Sequence, residues 1–372
     1  VANFTMPALG ADMETGKLVE WRVAPGARVK PGDVVAVVET HKGAIDVECF
    51  LDGTIEDLAP LGQELAVGAV LARVRGAGDA TVPAAPASAA ATPPAAPPRG
   101  KVSPAARRHA QALGLDAQKI QGSGSDGAVT LADVERAATG PKPVTAAGRG
   151  FDPVQMRGAI AAAMTRSKRE IPHYYLTSTI DFGAASAWLT AYNLGRDPAD
   201  RLLSAPLLLK AAAKALTEVP QLNGFHENGA FRAGAGIHVG WAIALRGGGL
   251  VAPAIHDADR QPLPELMRAL RDLVQRARAG GLRSSELADP TITVTSLGER
   301  GAESVLGVVY PPQVAIVGFG RIVERPWVVD GRVVVRPLLV ATLAADHRAS
   351  DGHVGGQLLA AIDRALQAPQ LM

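Results

Sequence analysis

Near the C-terminal end of this 372-residue chain, the run DHRASDG (346–352) places a histidine four positions before an aspartate that precedes a glycine. A neutral imidazole near pH 7 is a suitable proton acceptor, so His347 is a candidate general base, with Asp351 either steering that chemistry or ordering the loop. The motif alone leaves a purely structural histidine open. The second chemistry-bearing position is Lys42, in VVETHKGAID (37–46). Val34, Val35, Val37 and Val38 read as a buried strand, and Ile45 and Val47 begin a second strand that alternates with Asp46 and Glu48. Gly43 follows the lysine, so residues 39–43 read as a tight hairpin with Lys42 at its tip. A lysine displayed there is open to covalent modification, or it is a solubilising charge on an edge turn.

The elements around these residues divide the chain. GARVKPGDVVAVV (26–38) and GQELAVGAVLARV (62–74) repeat at an offset of 36, and GKLVEW (16–21) echoes GTIEDL (53–58). Two similar β-units with glycine turns predict a pseudo-symmetric sandwich over residues 1–76, with Lys42 at the turn joining its halves. Residues 77–100 are almost all Ala, Pro, Gly, Ser and Thr, a composition that buries no core and favours extended polyproline II; 24 residues reach about 70 Å at about 3.1 Å each. Residues 101–137 read as two short helices around a glycine-rich loop. Ser103 and Thr130 are their N-caps, Pro104 opens the first helix and Gly114 can end it. So short a segment suits docking better than catalysis. A second breaker at 138–150 precedes residues 151–372. There, helical runs such as PLLLKAAAKALTEVP (206–220) alternate with strands such as GIHVGWAIAL (236–245), PTITVTSL (290–297), PPQVAIVGFG (311–320) and GRVVVRPLLVATLAADHR (331–348), an α/β pattern.

Composition narrows the function classes. Lysine and arginine number 38 against 36 acidic residues, which argues against a nucleic-acid or polyanion binder. The single cysteine, Cys49, allows no internal disulfide framework and fits a reducing compartment. VANFTMPALG at the start carries no secretory-signal pattern, and no uncharged apolar run is long enough to span a bilayer. A cytoplasmic protein with neither nucleic-acid nor membrane partners is expected. No metal-ligand spacing is present, and GFG (318–320) and GGG (247–249) are too short to be nucleotide fingerprints. His173, His226, His238 and His353 have no chemical context of their own.

Taken in order, these pieces resemble the acyltransferase core subunits of 2-oxo acid dehydrogenase complexes. VVETHKGAIDVECFLDGTI (37–55) is similar to the lipoyl-domain pattern, with His41 where an aspartate is usual. The related biotinyl domain flanks its lysine with methionines, and here the neighbours are His41 and Gly43. Residues 101–137 resemble the peripheral subunit-binding domain, with Arg107 and Arg108 at its basic positions. Its loop carries Ser125 and Ala128 where lysine and arginine are common, and Asp126 adds negative charge. DHRASDG, IPHYYLTSTIDF (171–182), VPQLNGF (219–225), GLVAPAI (249–255), VTSLG (294–298) and YPPQVAIVGFG (310–320) follow the dihydrolipoamide acyltransferases in order.

The resemblance implies a multidomain fold: an all-β lipoyl sandwich, a small helical subunit-binding domain and an α/β catalytic domain like chloramphenicol acetyltransferase. It implies lipoic acid on Lys42, CoA as substrate, His347 as general base and Thr295 as oxyanion donor, with Ser296 the fallback on the opposite side of the strand. Asp351 would order the loop with Arg157 as partner, and Asp346 and Arg348 would form a structural ion pair. The implied partners are a thiamine-diphosphate-dependent 2-oxo acid decarboxylase, dihydrolipoyl dehydrogenase, a lipoate-attaching enzyme and further copies of the chain, as trimers with active sites between subunits that build a cubic or dodecahedral core. The expected acyl group is acetyl, since no extra basic cluster suits a succinyl group. The competing readings are a lipoyl-bearing non-catalytic scaffold and the transferase of an acetoin-cleaving complex. The retained His347 and Asp351 speak against the scaffold.

Overall fold

A computed structural model describes residues 1–9, 13–40, 43–76, 103–112, 124, 128–134, 153–245, 248–299 and 301–372. The linkers at 77–100 and 138–150 lie outside the described residues, as do Lys42, Gly114, Ser125 and Asp126. The chain divides into two compact units, Val1–Asp79 with Gly150–Met372, and Ala80–Arg149.

The repeat in the first 76 residues is visible in the strand pairing. The strands are β1 (Ala2–Thr5), β2 (Thr15–Trp21), β3 (Arg28–Val29), β4 (Asp33–Thr40), β5 (Gly43–Cys49), β6 (Gly53–Glu56), β7 (Glu64–Ala66) and β8 (Val70–Arg75). One sheet has the order β1-β8-β6-β3, and the other contains β5-β4-β2-β7. Exchanging the two halves of the segment maps each order onto the other, the signature of a pseudo-two-fold sandwich. The equivalent glycines Gly26 and Gly62, and Gly32 and Gly68, all take positive φ, between +82° and +92°. A side chain there would strain the turns, so both halves keep glycine at the same places. Leu18, Val35, Val38, Ile45, Val47, Ile55, Leu71 and Val74 fill the core between the sheets.

In the middle unit, α1 (Pro104–Ala112) starts as expected: Ser103 Oγ accepts the Ala106 N–H at 3.2 Å. A second helical stretch begins after Thr130, where the Asp133 carboxylate reaches back to the Thr130 N–H and hydroxyl at 2.9 and 2.8 Å. Ala106, Ala110, Val129 and Val134 form its core, and Arg107 and Arg108 are exposed.

The remaining elements are α2 (Pro153–Glu170), β9 (His173–Asp181), α3 (Gly183–Asn193), α4 (Ser204–Glu218), β10 (Gly224–Glu227), β11 (Ala230–Ala233), β12 (Val239–Trp241), β13 (Ile243–Ala244), β14 (Leu250–Val251), β15 (Ala254–Ile255), α5 (Leu263–Ala279), β16 (Leu282–Arg283), α6 (Ser284–Ala288), β17 (Ile292–Ser296), β18 (Ala315–Phe319), β19 (Val323–Val329), β20 (Arg332–Asp346) and α7 (Gly352–Gln367). A mixed sheet of order β15-β12-β17-β18-β20-β19, with β9 also on β20, carries the core. Ile292 and Val294 of β17, Val317 and Phe319 of β18 and Leu343 and Ala345 of β20 pack with leucines of α4, α5 and α7. Strand periodicity then sends Thr293, Thr295, Ile316, Thr342 and Ala344 to the opposite face. The strand expected over 236–245 is broken at Ala242 into β12 and β13.

Lys210 of α4 points into this core. It is 2% exposed, and its ammonium donates to the carbonyls of Ala258, Asp259 and Gln261 at 3.3, 2.7 and 2.5 Å. Burial pulls its pKa down, while three carbonyl dipoles stand in for the lost water. Lys210→Met keeps the stem and leaves those carbonyls without a donor. It is expected to destabilise the catalytic domain by about 2–4 kcal/mol, on the scale of charged hydrogen bonds lost in a core. Denaturant unfolding of the full chain, followed through the catalytic-domain transition, measures this.

Candidate active site

His347 stands just beyond the last residue of β20, exposed in the single chain. Its backbone N–H donates to the Pro172 carbonyl at 3.0 Å, which ties the turn to the start of β9. The imidazole meets the Tyr174 ring edge-on, with centroids 5.2 Å apart and planes at 68°. Tyr174 and Ser350 share a hydrogen bond of 2.8 Å, and burial raises the Tyr174 pKa.

The residues flanking His347 shape the turn. Asp346 is fully buried and takes Arg348 in a fork, with Nε at 2.9 and 3.1 Å from the two oxygens and the Nη2 contact at 2.7 Å. The expected ion pair is therefore present. The Asp346 carbonyl accepts the N–H groups of Ala349 and Ser350, closing the turn. Asp351 is the N-cap of α7: its carboxylate accepts the His353 and Val354 N–H groups at 2.9 and 3.0 Å. Those bonds, the one from Val354 first, hold its pKa below the usual carboxylate range. Arg157 is exposed on α2, and among the described residues it makes no ion pair with Asp351. The carboxylate is instead engaged by the helix N-terminus.

Thr295 sits on β17, facing Gly318 of β18, which in turn faces Thr342 of β20. Its hydroxyl is half-buried and makes no hydrogen bond to the described residues. Two residues earlier, Thr293 donates to Gln313 Oε1 at 2.7 Å on the same face. Ser296 projects from the other face, and its Oγ accepts the Gly298 N–H at 3.4 Å. Thr342, two strands from Thr295, lies five residues before His347. At about 3.3 Å per residue and 4.8 Å between strands, His347 and Thr295 of one chain stand roughly 15–20 Å apart. A base and an oxyanion donor serving one acyl carbon must each lie about 3 Å from the reacting atoms. Within one chain the two side chains are too far apart to serve one acyl carbon.

Tyr174 and Ser350 lie in IPHYYLTSTIDF and DHRASDG, but nothing in their spacing points to their contact. His173 proves structural. Its Nε2 accepts the Val309 N–H at 3.1 Å, its Nδ1 faces the Ile171 carbonyl at 2.9 Å, and burial lowers its pKa. His238 and His256 lie 4.9 Å apart, with His256 Nε2 at 2.8 Å from Asp289 Oδ2, a bond that raises the His256 pKa. Among the described residues no cluster of His, Cys, Asp and Glu could hold a metal ion, and no helix is long and apolar enough to cross a membrane.

Residues 152–372 match the family of 2-oxoacid dehydrogenases acyltransferase (catalytic domain), more than half of the chain. The chain belongs to this family. The acyltransferase also matches a family described as biotin-requiring enzyme at residues 2–74 and the e3 binding domain at 100–135. It is similar to the dihydrolipoyllysine-residue acetyltransferase component of the pyruvate dehydrogenase complex of Rhizobium meliloti, 30% identical over 443 residues that cover 100% of this chain and 99% of that protein. A lipoamide acyltransferase component of the branched-chain alpha-keto acid dehydrogenase complex, from Bacillus subtilis, is also 30% identical and covers 99% of this chain and 98% of its own length. Among solved structures, the dihydrolipoamide acetyltransferase of Azotobacter vinelandii superposes with a TM-score of 0.54 at 26% identity, covering 59% of this chain and 91% of that one.

The acyltransferase thus transfers acyl groups between a lipoamide arm and CoA, and the arm is lipoic acid joined covalently to its N-terminal domain. The described residues fit such an arm. Thr40 and Gly43 face each other at the end of the β4–β5 ladder, with Thr40 Oγ1 donating to the Gly43 carbonyl at 3.2 Å and Gly43 at φ +104°. Only His41 and Lys42 separate these two positions in the sequence.

Proposed function

We propose that this chain moves acetyl groups between a lipoyl arm on Lys42 and CoA, at sites that each combine His347 of one subunit with Thr295 of a neighbour. The observation that carries this reading is the separation of the two residues in a single chain, with His347 exposed and Thr295 half-buried, so that neither can complete the site alone. Exposed apolar side chains on the β19–β20 arm, Val328, Val333 and Val335 at 64%, 73% and 67%, offer surface for such association. The Azotobacter structure was solved to probe a serine, a histidine and an asparagine in its catalytic mechanism. There the histidine follows the serine by fifty-two positions and precedes the asparagine by four. Thr295, His347 and Asp351 keep the same spacings, which favours Thr295 over Ser296.

His347 takes the proton of the CoA thiol as its sulfur bonds to the acyl carbon, and returns that proton to the sulfur released when the old thioester C–S bond breaks; in reverse it serves the dihydrolipoamide thiol. Thr295 donates its hydroxyl to the negative charge developing on the acyl oxygen. Asp351 keeps the His347 turn in place by capping α7 and transfers no proton. Arg157 has no part in this assignment. When bound, the lipoyl group supplies a thiol that accepts and releases the acyl group.

The same reading gives the chain its partners. A thiamine-diphosphate-dependent decarboxylase loads the arm, dihydrolipoyl dehydrogenase docks at residues 101–137 through Arg107 and Arg108, and a lipoate-attaching enzyme modifies Lys42. Trimers of the chain build a larger core. A cytoplasmic location belongs to the proposal and rests on the single cysteine, Cys49.

An assay of CoA-dependent acylation of free dihydrolipoamide with acetyl, succinyl and isobutyryl donors tests the acyl assignment. Acetyl-CoA is expected to give the highest kcat/KM, and preference for a branched donor would overturn that choice. Lys42→Arg should lose the lipoyl adduct in the intact mass while retaining transfer to free dihydrolipoamide. An adduct that survives the change would move the arm elsewhere.

A further inference from the structure

Alternation along β5 puts Asp46 and Glu48 on the polar face, yet Glu48 is only 8% exposed. The cover comes from the catalytic domain. β16 pairs with β5 in parallel, Leu282 beside Ile45 and Arg283 beside Asp46, so the lipoyl-domain sheet runs β16-β5-β4-β2-β7. Without β16, β5 would be an open edge strand with its outward N–H and C=O groups unpaired, a ready template for strand addition.

Side chains reinforce the pairing. The Glu48 N–H donates to Ser284 Oγ at 3.1 Å, and the Glu48 carboxylate accepts from the Ser285 N–H at 3.2 Å and from its hydroxyl at 2.5 Å. Ser284 is 4% exposed and adds a weaker contact at 3.5 Å. Leu287 packs against the apolar cores of both domains. Among the described residues no cation pairs with Glu48, so its burial depends on these neutral donors.

The receiving corner is held in shape independently of the lipoyl domain. Arg276 of α5 grips both oxygens of Glu286 at 2.7 and 2.5 Å and donates to the Gly281 carbonyl at 3.1 Å. Glu286 in turn accepts the Arg283 N–H at 2.9 Å. Such a pre-shaped corner lowers the ordering cost of docking.

We propose that the β16–α6 corner of the catalytic domain is a docking site for the lipoyl domain of this chain, a parked position left whenever the arm visits another active site. The chemistry recognised is an open strand edge with a carboxylate three residues after the strand position that pairs with Leu282. A partner lacking that carboxylate leaves the Ser285 N–H and hydroxyl without their acceptor, and a carboxylate without those donors pays for its burial, so the fit is specific in both directions. The inference rests on the carrier role assigned to the first domain, but its test reads contact and not turnover.

Hydrogen exchange followed by mass spectrometry on the full-length chain, in peptides spanning 43–49, compares wild type with a Ser284→Ala, Ser285→Ala double variant and with Glu48→Gln. None of these residues belongs to the catalytic machinery, so transfer to free dihydrolipoamide should be unchanged. The Glu48 amide is expected to exchange at least about tenfold faster in the serine variant, whose changes lie wholly outside the lipoyl domain. Glu48→Gln should give the same opening, and combining the changes should add little, because both break one contact. Equal exchange in wild type and the serine variant would overturn the proposal, as would effects that simply add. Loss of activity on free dihydrolipoamide with β5 exchange unchanged would overturn it too.

Discussion

Replacing His347 by alanine lowers kcat for CoA-dependent acyl transfer to free dihydrolipoamide by about 10²–10⁴, the usual range for losing a general base. The thioester is already activated, and thiols ionise unaided as pH rises. The deficit is therefore largest near neutrality and shrinks toward alkaline pH, where thiolate forms without help. KM for CoA changes little, because the imidazole stands at the reacting end and not along the binding surface. The fold should tolerate the change: the side chain is exposed in the single chain and its backbone bond to Pro172 survives. A kcat-against-pH profile of wild type and variant checks both the size and the convergence. Wild-type turnover in His347→Ala would remove the base from the account.

Thr295→Val removes the hydroxyl at nearly constant volume and costs about 10²–10³ in kcat, the scale of losing one oxyanion donor. Because the donor acts on charge that appears only in the transition state, KM should hardly move. The neighbouring Ser296→Ala is the control. Its hydroxyl faces the other side of β17 and accepts the Gly298 N–H, so it should alter kcat less than about threefold by the scale of a peripheral hydrogen bond. A reversal of the two effects would assign the donor to Ser296.

The sequence made the positions of Thr295 and the N-terminal sandwich legible for separate reasons. β17 reads as a strand from its β-branched run, and a period of two separates Thr293 and Thr295 from Val294 and Ser296 without any structure. The β-sandwich was legible because its repeat recurs as glycines at matching turns, and Gly26, Gly32, Gly62 and Gly68 indeed share one conformation. The Asp346–Arg348 pair came with the family motif, as what the resemblance implies, and is present in the structure. What escaped the sequence depends on contacts between distant segments. Alternation puts Glu48 on the solvent face of β5, and only Ser284 and Ser285, more than 230 residues on, explain its burial. Lys210 reads as a surface lysine in an alanine-rich helix until the carbonyls at 258–261 close over it. Among the described residues the expected Arg157–Asp351 pair is absent, and the carboxylate caps its own helix. A cap needs only neighbouring backbone, whereas the ion pair would have to order an exposed arginine.

The central claim is that His347 and Thr295 belong to one site but come from two chains, and subunit complementation tests it most directly. Chains carrying His347→Ala and chains carrying Thr295→Val are each nearly inactive; co-expressed, they assemble into mixed oligomers. In a symmetric ring every site takes its base from one chain and its donor from the next. Random mixing in equal amounts then leaves about a quarter of the sites with both intact residues. Turnover on free dihydrolipoamide should recover to about a quarter of wild type, well above either parent. Mixed assemblies no more active than the average of their parents would show that the two residues do not meet across subunits.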